Sequence, residues 1–140
     1  MRGWLGVVSK AHAERGVAGG FIQLCHGKVE PLRRMAEGDR LVIYSPRTEM
    51  GGGEPLQAFT AYGIVGPDEI VRVSMAPDFH PFRRPVSFLP AQEAPIRPLL
   101  NRLSFTRDEA HWGMALRRGQ VPLTMRDLDL IAGALGLEDL

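Results

Sequence analysis

The amino-acid sequence predicts an α+β domain built around a mainly antiparallel sheet that closes partly into a small barrel. Two observations favour this class: short apolar runs bounded by glycine or proline recur along the chain, and helical patterns are few and short. The 140 residues, 44% hydrophobic and 24% charged, have the composition of one globular domain. The sequence holds no internal repeat or interdomain linker, so residues 1–140 are predicted to form a single domain.

The first predicted elements are a strand and a helix. Residues 4–9 (WLGVVS) are apolar and rich in β-branched side chains, as in a buried strand. Residues 10–16 (KAHAERG) are helix formers, and Gly16 is the expected stop. The glycine-bounded run 20–25 (GFIQLC) fits either a strand or a loop.

A second core strand is predicted at residues 40–45 (RLVIYS), where Pro46 is expected to end it. Before this strand, Pro31 can open a helical turn. The i,i+3 spacing of Leu32 and Met35 then turns both side chains inward.

A longer strand with a hairpin partner is predicted next. Residues 48–55 (TEMGGGEP) predict a flexible loop before a strand at 56–65, in which Phe59 and Ala61 alternate onto one face. Residues 69–75 (EIVRVSM) are the expected hairpin partner of that strand.

The last third holds weaker elements and then the clearest helix. Three prolines in residues 76–85 argue against a central strand, because proline lacks the ladder donor, whereas 86–90 fits a short edge strand. Residues 94–103 predict one or two helical turns. Thr124 with Asp127 resembles a capping box in front of an apolar stripe that Gly136 is expected to end.

Some classes of protein are excluded by what the sequence lacks. No apolar run approaches the roughly 20 residues of a membrane span, and the first residues are too quickly polar for a signal peptide. A single cysteine cannot form an internal disulfide. The default expectation is therefore a cytoplasmic protein.

The net charge of +1 hides an asymmetry along the chain. Residues 1–118 hold 16 Lys/Arg and 12 Asp/Glu, whereas residues 119–140 hold one arginine and four acidic residues, among them Glu138 and Asp139. Arginines are doubled at 33–34, 83–84 and 117–118. Such pairs on one face favour a phosphate backbone through counterion release, and they fit a solvated surface equally well.

Cys25 and His26 raise the question of a reactive thiol or a metal. As neighbours on a strand they would point to opposite faces and form no dyad, although His12 or His111 could still approach Cys25 in space. The histidines are scattered and no Cys-x-x-Cys is present, so no metal site is predicted. Phosphate-loop, dinucleotide and nucleophile-elbow motifs are also absent. The sequence therefore predicts no catalytic residue and no cofactor.

Several aromatic residues lie next to small polar residues in the sequence. Most of them are expected in the core, yet a flipped or single-stranded base also needs aromatic faces beside hydrogen-bonding groups. Composition and spacing do not show whether these aromatic residues belong to the core or to a base-binding site. The residues concerned are Trp4, Phe21, Tyr44, Phe79, Phe82, Phe105 and Trp112.

The segment 4–47, from WLGVVSKAHAERG to RLVIYSPR, resembles the small prokaryotic EVE-domain proteins. The resemblance continues through 56–65, FHPFRRPV (79–86) and HWG-A-R-G (111–119), and so covers nearly the whole chain. It implies a PUA-like fold, a curled and partly closed β-barrel with helices outside, similar to YTH domains that read RNA carrying methylated adenine. The YTH cage uses several tryptophans, whereas this chain has two, which disfavours methylated adenine as the ligand.

The resemblance implies a pocket between the first strand–helix connection and the barrel. Gly19 and Gly20 would let the backbone approach a ligand closely, and Phe21 is expected to stack on it, while His26 is expected to be structural. By motif position, the implied ligand-binding residues are Ser9, His12, Gly20, Phe21, Gln23, Cys25, Tyr44, Ser45 and Trp112. The candidates for phosphate contacts are Arg33, Arg34, Arg83 and Arg84.

Two functions from different classes remain open from the sequence. The first is a non-catalytic reader of a modified nucleobase, with DNA or RNA as the partner. The second is an enzyme that acts on a nucleotide or small metabolite in the same pocket, with Cys25 or His12 as acid or base. A further alternative is an accessory protein that works through a protein partner.

Overall fold

The computed structural model describes residues 1–137. Within this range the α-helices are α1 (Lys10–Gly19), α2 (Glu30–Arg34) and α3 (Met125–Ala134), and short 3₁₀ helices span Cys25–Gly27, Arg97–Leu99 and Trp112–Arg118. The strands are β1 (Gly3–Val7), β2 (Phe21–Ile22), β3 (Arg40–Glu49), β4 (Gly52–Val65), β5 (Val71–Arg72), β6 (Phe82–Leu89), β7 (Ala94–Pro95) and β8 (Gln120–Leu123). Glu138 and Asp139, half of the acidic residues noted near the C-terminus, lie outside the described residues.

The strands form one sheet in the order β2–β6–β4–β3–β1–β8, with β5 paired to β6 and β7 paired to β4. β1 and β3 are parallel, from Gly3 opposite Arg40 to Val7 opposite Tyr44. The other pairs are antiparallel. The sheet curls into a half-barrel with helices packed outside, which confirms the predicted α+β class.

Both faces of the curled sheet are buried. One face carries Tyr44, Phe59 and Tyr62 and packs against residues of α3 and of the segment between β7 and β8. The opposite face carries Leu41 and Ile43 and packs against residues of α1, β2 and α2. The sheet is therefore the central layer, and a ligand can reach it only at its ends or edges.

A β-bulge separates Phe59 from Ala61. Ile43 lies opposite Ala61 and Tyr44 lies opposite Phe59, so Thr60 is an extra residue on β4. An extra residue reverses the alternation of side chains. Phe59 accordingly packs in the cluster of Tyr44, and Ala61 packs in the cluster of Ile43. The prediction that Phe59 and Ala61 share a face is therefore wrong.

Helix α1 continues beyond Gly16 and ends at Gly19. Its stop is Gly20, which has φ 72° and donates its N–H to the carbonyl oxygen of Gly16 at 2.7 Å. Gly16 is required for packing instead, because a Cβ there would lie 2.6 Å from the carbonyl oxygen of Phe21. The predicted stop at Gly16 is therefore corrected by one turn.

Strands β3 and β4 form a longer hairpin than the sequence predicts. β3 passes through Pro46 to Glu49, and the loop expected at 48–55 narrows to a turn at residues 50–51. The register with β4 shifts at Pro46, and such a bulge tolerates a residue without an N–H. The hairpin tip consequently extends past the sheet.

Strand β6 is internal to the sheet and includes part of the proline-rich run, contrary to prediction. It begins at Phe82 and contains Pro85, while the segment 69–75 contributes only β5, which pairs with β6 rather than with β4. Pro85 lies opposite Phe21 in the two-residue strand β2, and its carbonyl still accepts the N–H of Gly66 at 2.9 Å. The missing N–H of Pro85 costs little stability, because its partner strand β2 is only two residues long.

Helix α3 confirms the N-cap at Thr124, but Asp127 does not complete a capping box, because its carboxylate accepts from the N–H and hydroxyl of Ser104 instead. The Thr124 hydroxyl accepts the N–H of Asp127 at 3.1 Å, and Gly136 follows the helix with φ 85°. The predicted stripe of Leu128, Ile131, Ala132 and Leu135 is buried. Among residues 1–137, no helix is long and apolar enough to cross a bilayer.

Candidate functional site

A cleft of about 750 Å³ lies between the β1–α1 connection, the β3–β4 hairpin and the 3₁₀ helix Trp112–Arg118. Its volume falls in the range of roughly 300–1,000 Å³ that is typical of ligand sites. Five of the residues implied by the sequence line this cleft: Ser9, His12, Cys25, Tyr44 and Trp112.

Backbone hydrogen bonds join the walls of the cleft. The N–H of Val7 donates to the carbonyl oxygen of Gly119 at 3.0 Å, and the N–H of Val8 donates to the carbonyl oxygen of Tyr44 at 3.2 Å. The next residue, Ser9, caps α1, because its hydroxyl accepts the N–H of the residue three positions on at 3.2 Å. The cleft is thus built where β1 leaves the sheet and turns into α1.

His12, in the first turn of α1, lines the cleft and carries a ring nitrogen that has no partner within residues 1–137. Its Nε2 is buried and has no hydrogen-bond partner among the residues that the structure describes. Burial lowers the pKa of His12 below its usual value, and the positive charges of Arg15 and Arg83 lower it further. The ring is therefore neutral near pH 7. A buried polar atom without a partner is costly, so Nε2 is poised to pair with a ligand or water.

Two aromatic residues line the cleft, Trp112, which is partly buried, and Tyr44, which is only 2% exposed. The Tyr44 ring packs edge-on against Phe59, with ring centroids 5.7 Å apart. Burial raises the pKa of Tyr44 to about 12, against an opposing effect of the Arg97 charge, so its phenol stays protonated. Trp112 is partly buried against the same core cluster, and the guanidinium carbon of Arg97 lies 5.8 Å from its ring centroid.

Cys25 and His26 lie in a 3₁₀ turn rather than on a strand. Their φ angles of 50° and 61° are left-handed, and both residues line the cleft. The prediction that they point to opposite faces of a strand is therefore wrong. The difference arises because β2 ends at Ile22, after only two residues.

The Cys25 thiol is not activated in this geometry. Its Sγ donates to the carbonyl oxygen of Arg118 at 3.6 Å, and burial raises the pKa of the thiol, against opposing effects of Arg34 and Lys28. A protonated, hydrogen-bonded thiol is a weak nucleophile. Among residues 1–137, no three His, Cys, Asp or Glu side chains are grouped to hold a metal ion.

The other implied ligand-binding residues, Gly20, Phe21, Gln23 and Ser45, lie outside the lining of the cleft. Ser45 is fully buried, and its hydroxyl is hydrogen-bonded to the Thr60 hydroxyl at the bulge, 2.8 Å away. The Gln23 side-chain oxygen accepts a hydrogen bond from Nε of Arg83, and the Phe21 ring lies under the same guanidinium group. These four residues thus serve the fold around the cleft.

Arg84 is corrected from a phosphate-binding candidate to a structural residue. It is 1% exposed, and its guanidinium group donates to the carbonyl oxygens of Leu32 at 2.8 Å, Met35 at 2.6 Å and Gly66 at 3.0 Å. It therefore fastens α2 and its following turn to the sheet. Its neighbour Arg83 points the other way, since successive residues of a strand alternate between faces.

Arg33 and Arg34, the arginine pair on α2, are both exposed, but they differ in their contacts. Arg34 donates from Nη1 to the side-chain oxygen of Gln120 at 3.2 Å, and its charge lowers the pKa of Cys25, so it lies at the border of the cleft. Arg33 has no such contact within the described residues. Only Arg34 of this pair is placed beside the site.

Sequence reasoning missed the cationic residues that line the cleft, Lys28, Arg47, Arg117 and Arg118. Glu49 is the one acidic side chain among the described residues of the lining. The doublet at 117–118 was visible in the sequence, but nothing local indicated that it faces a pocket. No local sequence pattern indicated that Lys28 or Arg47 belongs to a site, because long-range packing brings them to the cleft.

A curled half-barrel of this topology, with a cleft where the first strand meets the first helix, defines a PUA-like domain. The EVE-domain family profile matches residues 2–134, and the chain belongs to the EVE-domain family. EVE domains are a PUA-like family whose fold is generally associated with nucleic-acid binding.

Relatives from bacteria match along almost the whole chain. A UPF0310 protein of Mycolicibacterium vanbaalenii is 50% identical over 135 residues, which cover 96% of this chain and 93% of the relative. The UPF0310 protein YdcG of Bacillus subtilis is 41% identical over 134 residues, covering 96% and 92%.

Two solved structures share the fold. The crystal structure of protein Atu2648 from Agrobacterium tumefaciens superimposes with a TM-score of 0.58 at 13% identity, covering 100% of this chain and 97% of that chain. A protein from Pseudomonas putida superimposes with a TM-score of 0.51 at 15% identity, covering 94% and 98%. At these identities the likeness concerns the fold alone.

Proposed function

We propose that the protein is a non-catalytic module that binds a modified nucleobase of DNA or RNA in the cleft. The observation that carries this proposal is the uncommitted Nε2 of His12 in a cleft that also has aromatic walls and a cationic border. A base outside its stack needs aromatic surface and hydrogen-bonding partners along its edge. Membership of the EVE-domain family supports the same class of ligand.

Each group has a distinct role in this proposal. Trp112 supplies aromatic surface for the base, the nearly buried Tyr44 lies beneath it with its phenol, and neutral His12 donates or accepts one hydrogen bond at the edge of the base. Lys28, Arg117 and other cations of the lining attract phosphate. The volume of about 750 Å³ leaves room for a base with an added substituent and its sugar.

An enzyme that acts through a covalent intermediate in the same cleft would need an activated nucleophile. The protonated thiol of Cys25, held by a backbone carbonyl, does not supply one. The geometry therefore gives no support to covalent catalysis by Cys25, and binding without turnover is the function that we propose. Formation of any product from a bound nucleotide would contradict this proposal.

The test is a binding screen of modified and unmodified nucleosides, read first by thermal shift and then by calorimetry. Ligand at about a hundred times its Kd adds roughly 2.7 kcal/mol of stability, which raises Tm by several degrees. We expect at least one modified nucleoside to bind about tenfold more tightly than its unmodified parent. Equal affinity for both would contradict reading of the modification.

His12 provides a matched pair of variants for the screen. His12→Ala removes the ring but keeps the backbone N–H that Ser9 caps, and we expect an affinity loss of about 5- to 10-fold, the value of one hydrogen bond. His111→Ala is the control, because His111 is exposed and does not line the cleft. Equal losses in both variants would contradict the assigned role of His12.

A further inference from the structure

One border of the cleft carries four cationic side chains, Lys28, Arg34, Arg117 and Arg118, which we call the basic rim. Lys28, Arg117 and Arg118 line the cleft, and Arg34 lies beside it. All four are exposed. The ion pairs found within residues 1–137 are Lys10–Glu93 and Arg126–Asp127, so none of the four is paired with a carboxylate.

Cys25 lies at the centre of the basic rim. Its thiol donates to the carbonyl oxygen of Arg118 at 3.6 Å, and the charges of Arg34 and Lys28 both act on it. Arg34 is held by the side-chain oxygen of Gln120, whose amide donates in turn to the carbonyl of Pro31 at 2.7 Å.

The fold therefore brings three elements together at one place. These contacts link the 3₁₀ turn Cys25–Gly27 and the end of α2, which are close in sequence, to the end of the 3₁₀ helix Trp112–Arg118, which lies about 90 positions further along the chain. A Cβ at Gly119 would lie 2.8 Å from the Cys25 sulfur, so the backbone after Arg118 is packed closely against the turn. The backbones that carry these charges are thus packed together, and the side chains are exposed, with Arg34 donating one hydrogen bond to Gln120.

We propose that the ligand is a polynucleotide strand rather than a free nucleoside, and that phosphates flanking the bound base lie along the basic rim. This inference rests on the proposed function, because it needs the base to occupy the cleft. Four cations at one border, none paired with a carboxylate of residues 1–137, repel each other, and a chain of phosphates is a ligand that relieves this repulsion. A single nucleoside has no phosphate and would leave the cations of the basic rim without a partner.

Salt dependence measures the number of phosphates held. For a single strand, log affinity falls against log salt with a slope of about −0.7 for each phosphate neutralised. Three or four rim contacts therefore predict a slope of roughly −2 to −3. Removing two of them should make the slope shallower by about 1.4.

The probe is a dye-labelled single strand of about nine nucleotides with 5-methylcytosine or N6-methyladenine at its centre, together with the unmodified strands and the free nucleosides. Fluorescence anisotropy at several salt concentrations gives affinity and slope. We expect the strand that carries the preferred base to bind at least about tenfold more tightly than its nucleoside at low salt, where backbone contacts are strongest.

The variant Arg117→Ala with Arg118→Ala should weaken strand binding and flatten the slope by about 1.4. The control is Arg102→Ala with Arg107→Ala, which removes the same charge from exposed positions outside the lining. The control should keep the wild-type slope. An equal loss of slope in both double variants would overturn the rim as the phosphate site.

The remaining outcomes separate the two proposals. If a strand binds no more tightly than its nucleoside and shows no salt slope, the strand proposal is wrong while the base-binding cleft stands. If strands bind through the rim with no preference for either modified base and no nucleoside binds, the rim holds phosphates but the modified-base function is wrong. If neither strand nor nucleoside binds, both proposals are overturned.

Discussion

The guanidinium group of Arg83 lies over the ring of Phe21, with 4.0 Å between the guanidinium carbon and the ring centroid. Nε of Arg83 also donates to the side-chain oxygen of Gln23, which orients the guanidinium plane. The ring also contacts the Gly19 position, where no Cβ could be accommodated. The residue that the sequence suggested for stacking on a ligand therefore stacks on an arginine of its own chain.

We expect Phe21→Ala to lower the free energy of unfolding by about 1–3 kcal/mol, less than for a fully buried ring, because Phe21 is half-buried. Ligand affinity should change by less than about threefold, since Phe21 does not line the cleft. Urea unfolding and calorimetry measure the two quantities on one variant. A 5- to 150-fold loss of affinity at unchanged stability would return Phe21 to the binding site.

Arg84→Ala should destabilise the fold by about 3–5 kcal/mol. It removes three hydrogen bonds from a buried cation and leaves the carbonyls of Leu32, Met35 and Gly66 without that donor. Arg33→Ala is the matched control, and as an exposed change it should stay within about 0.5 kcal/mol. Chemical denaturation provides both values, and Arg84→Lys gives an intermediate variant if Arg84→Ala does not fold. A stable Arg84→Ala with a flattened salt slope would restore the phosphate role.

Asp39 should make stability depend on pH in the acid range. Burial alone raises the pKa of its carboxyl, but N–H groups of Ala36, Arg2 and Trp4, which donate at 2.8–2.9 Å, together with the N-terminal charge bring it below the ordinary value. A depressed pKa contributes stability that is present above the unfolded pKa of about 3.9 and is lost as pH falls through the folded pKa.

The measurement is Tm against pH for the wild type and Asp39→Asn. The gap between them should be widest above about pH 4 and should narrow below it. Glu37→Gln, at an exposed position of the same turn, should leave the curve unchanged. A gap that is constant over the whole range would contradict the shifted pKa.

Tyr44→Phe tests the phenol that the cleft encloses. The ring contact with Phe59 is kept, so stability at pH 7 should change by less than about 1 kcal/mol, while ligand affinity should fall by about 2- to 10-fold if the phenol contacts the base. Because the folded pKa of Tyr44 is raised to about 12, its contribution to stability is complete below about pH 10 and is lost as pH rises through 12. The wild type should therefore lose stability more steeply than the variant above pH 10. Identical alkaline curves would show that the phenol is not buried as described.

Cys25→Ser should leave ligand affinity within a few fold, because the thiol is a hydrogen-bond donor to a carbonyl and serine keeps that capacity. The raised pKa also predicts slow alkylation by iodoacetamide near neutral pH. Calorimetry and mass spectrometry check these two expectations. Covalent trapping of Cys25 by a nucleotide analogue would favour the enzymatic alternative instead.

Local patterns in the sequence were sufficient for several elements. The N-cap at Thr124, the inward Leu32 and Met35 and the strand that begins near Trp4 are all present as predicted, because each depends on residues within one or two turns of each other. The fold class followed from the same patterns. Among the site residues, His12 and Tyr44 reached the cleft because they lie where predicted elements begin or end.

Tertiary structure alone decided which arginines could meet a phosphate and which aromatic ring faces the cleft. Adjacent arginines at 83 and 84 take opposite sides of β6, and only the packing of α2 determines that Arg84 is buried. The bulge at Thr60 places Phe59 opposite Tyr44, in the same core cluster. A one-residue shift of this kind cannot be recognised from the alternation of apolar and polar residues in the sequence. The basic rim joins residues about 90 positions apart, and such convergence depends on how the sheet curls rather than on any local pattern.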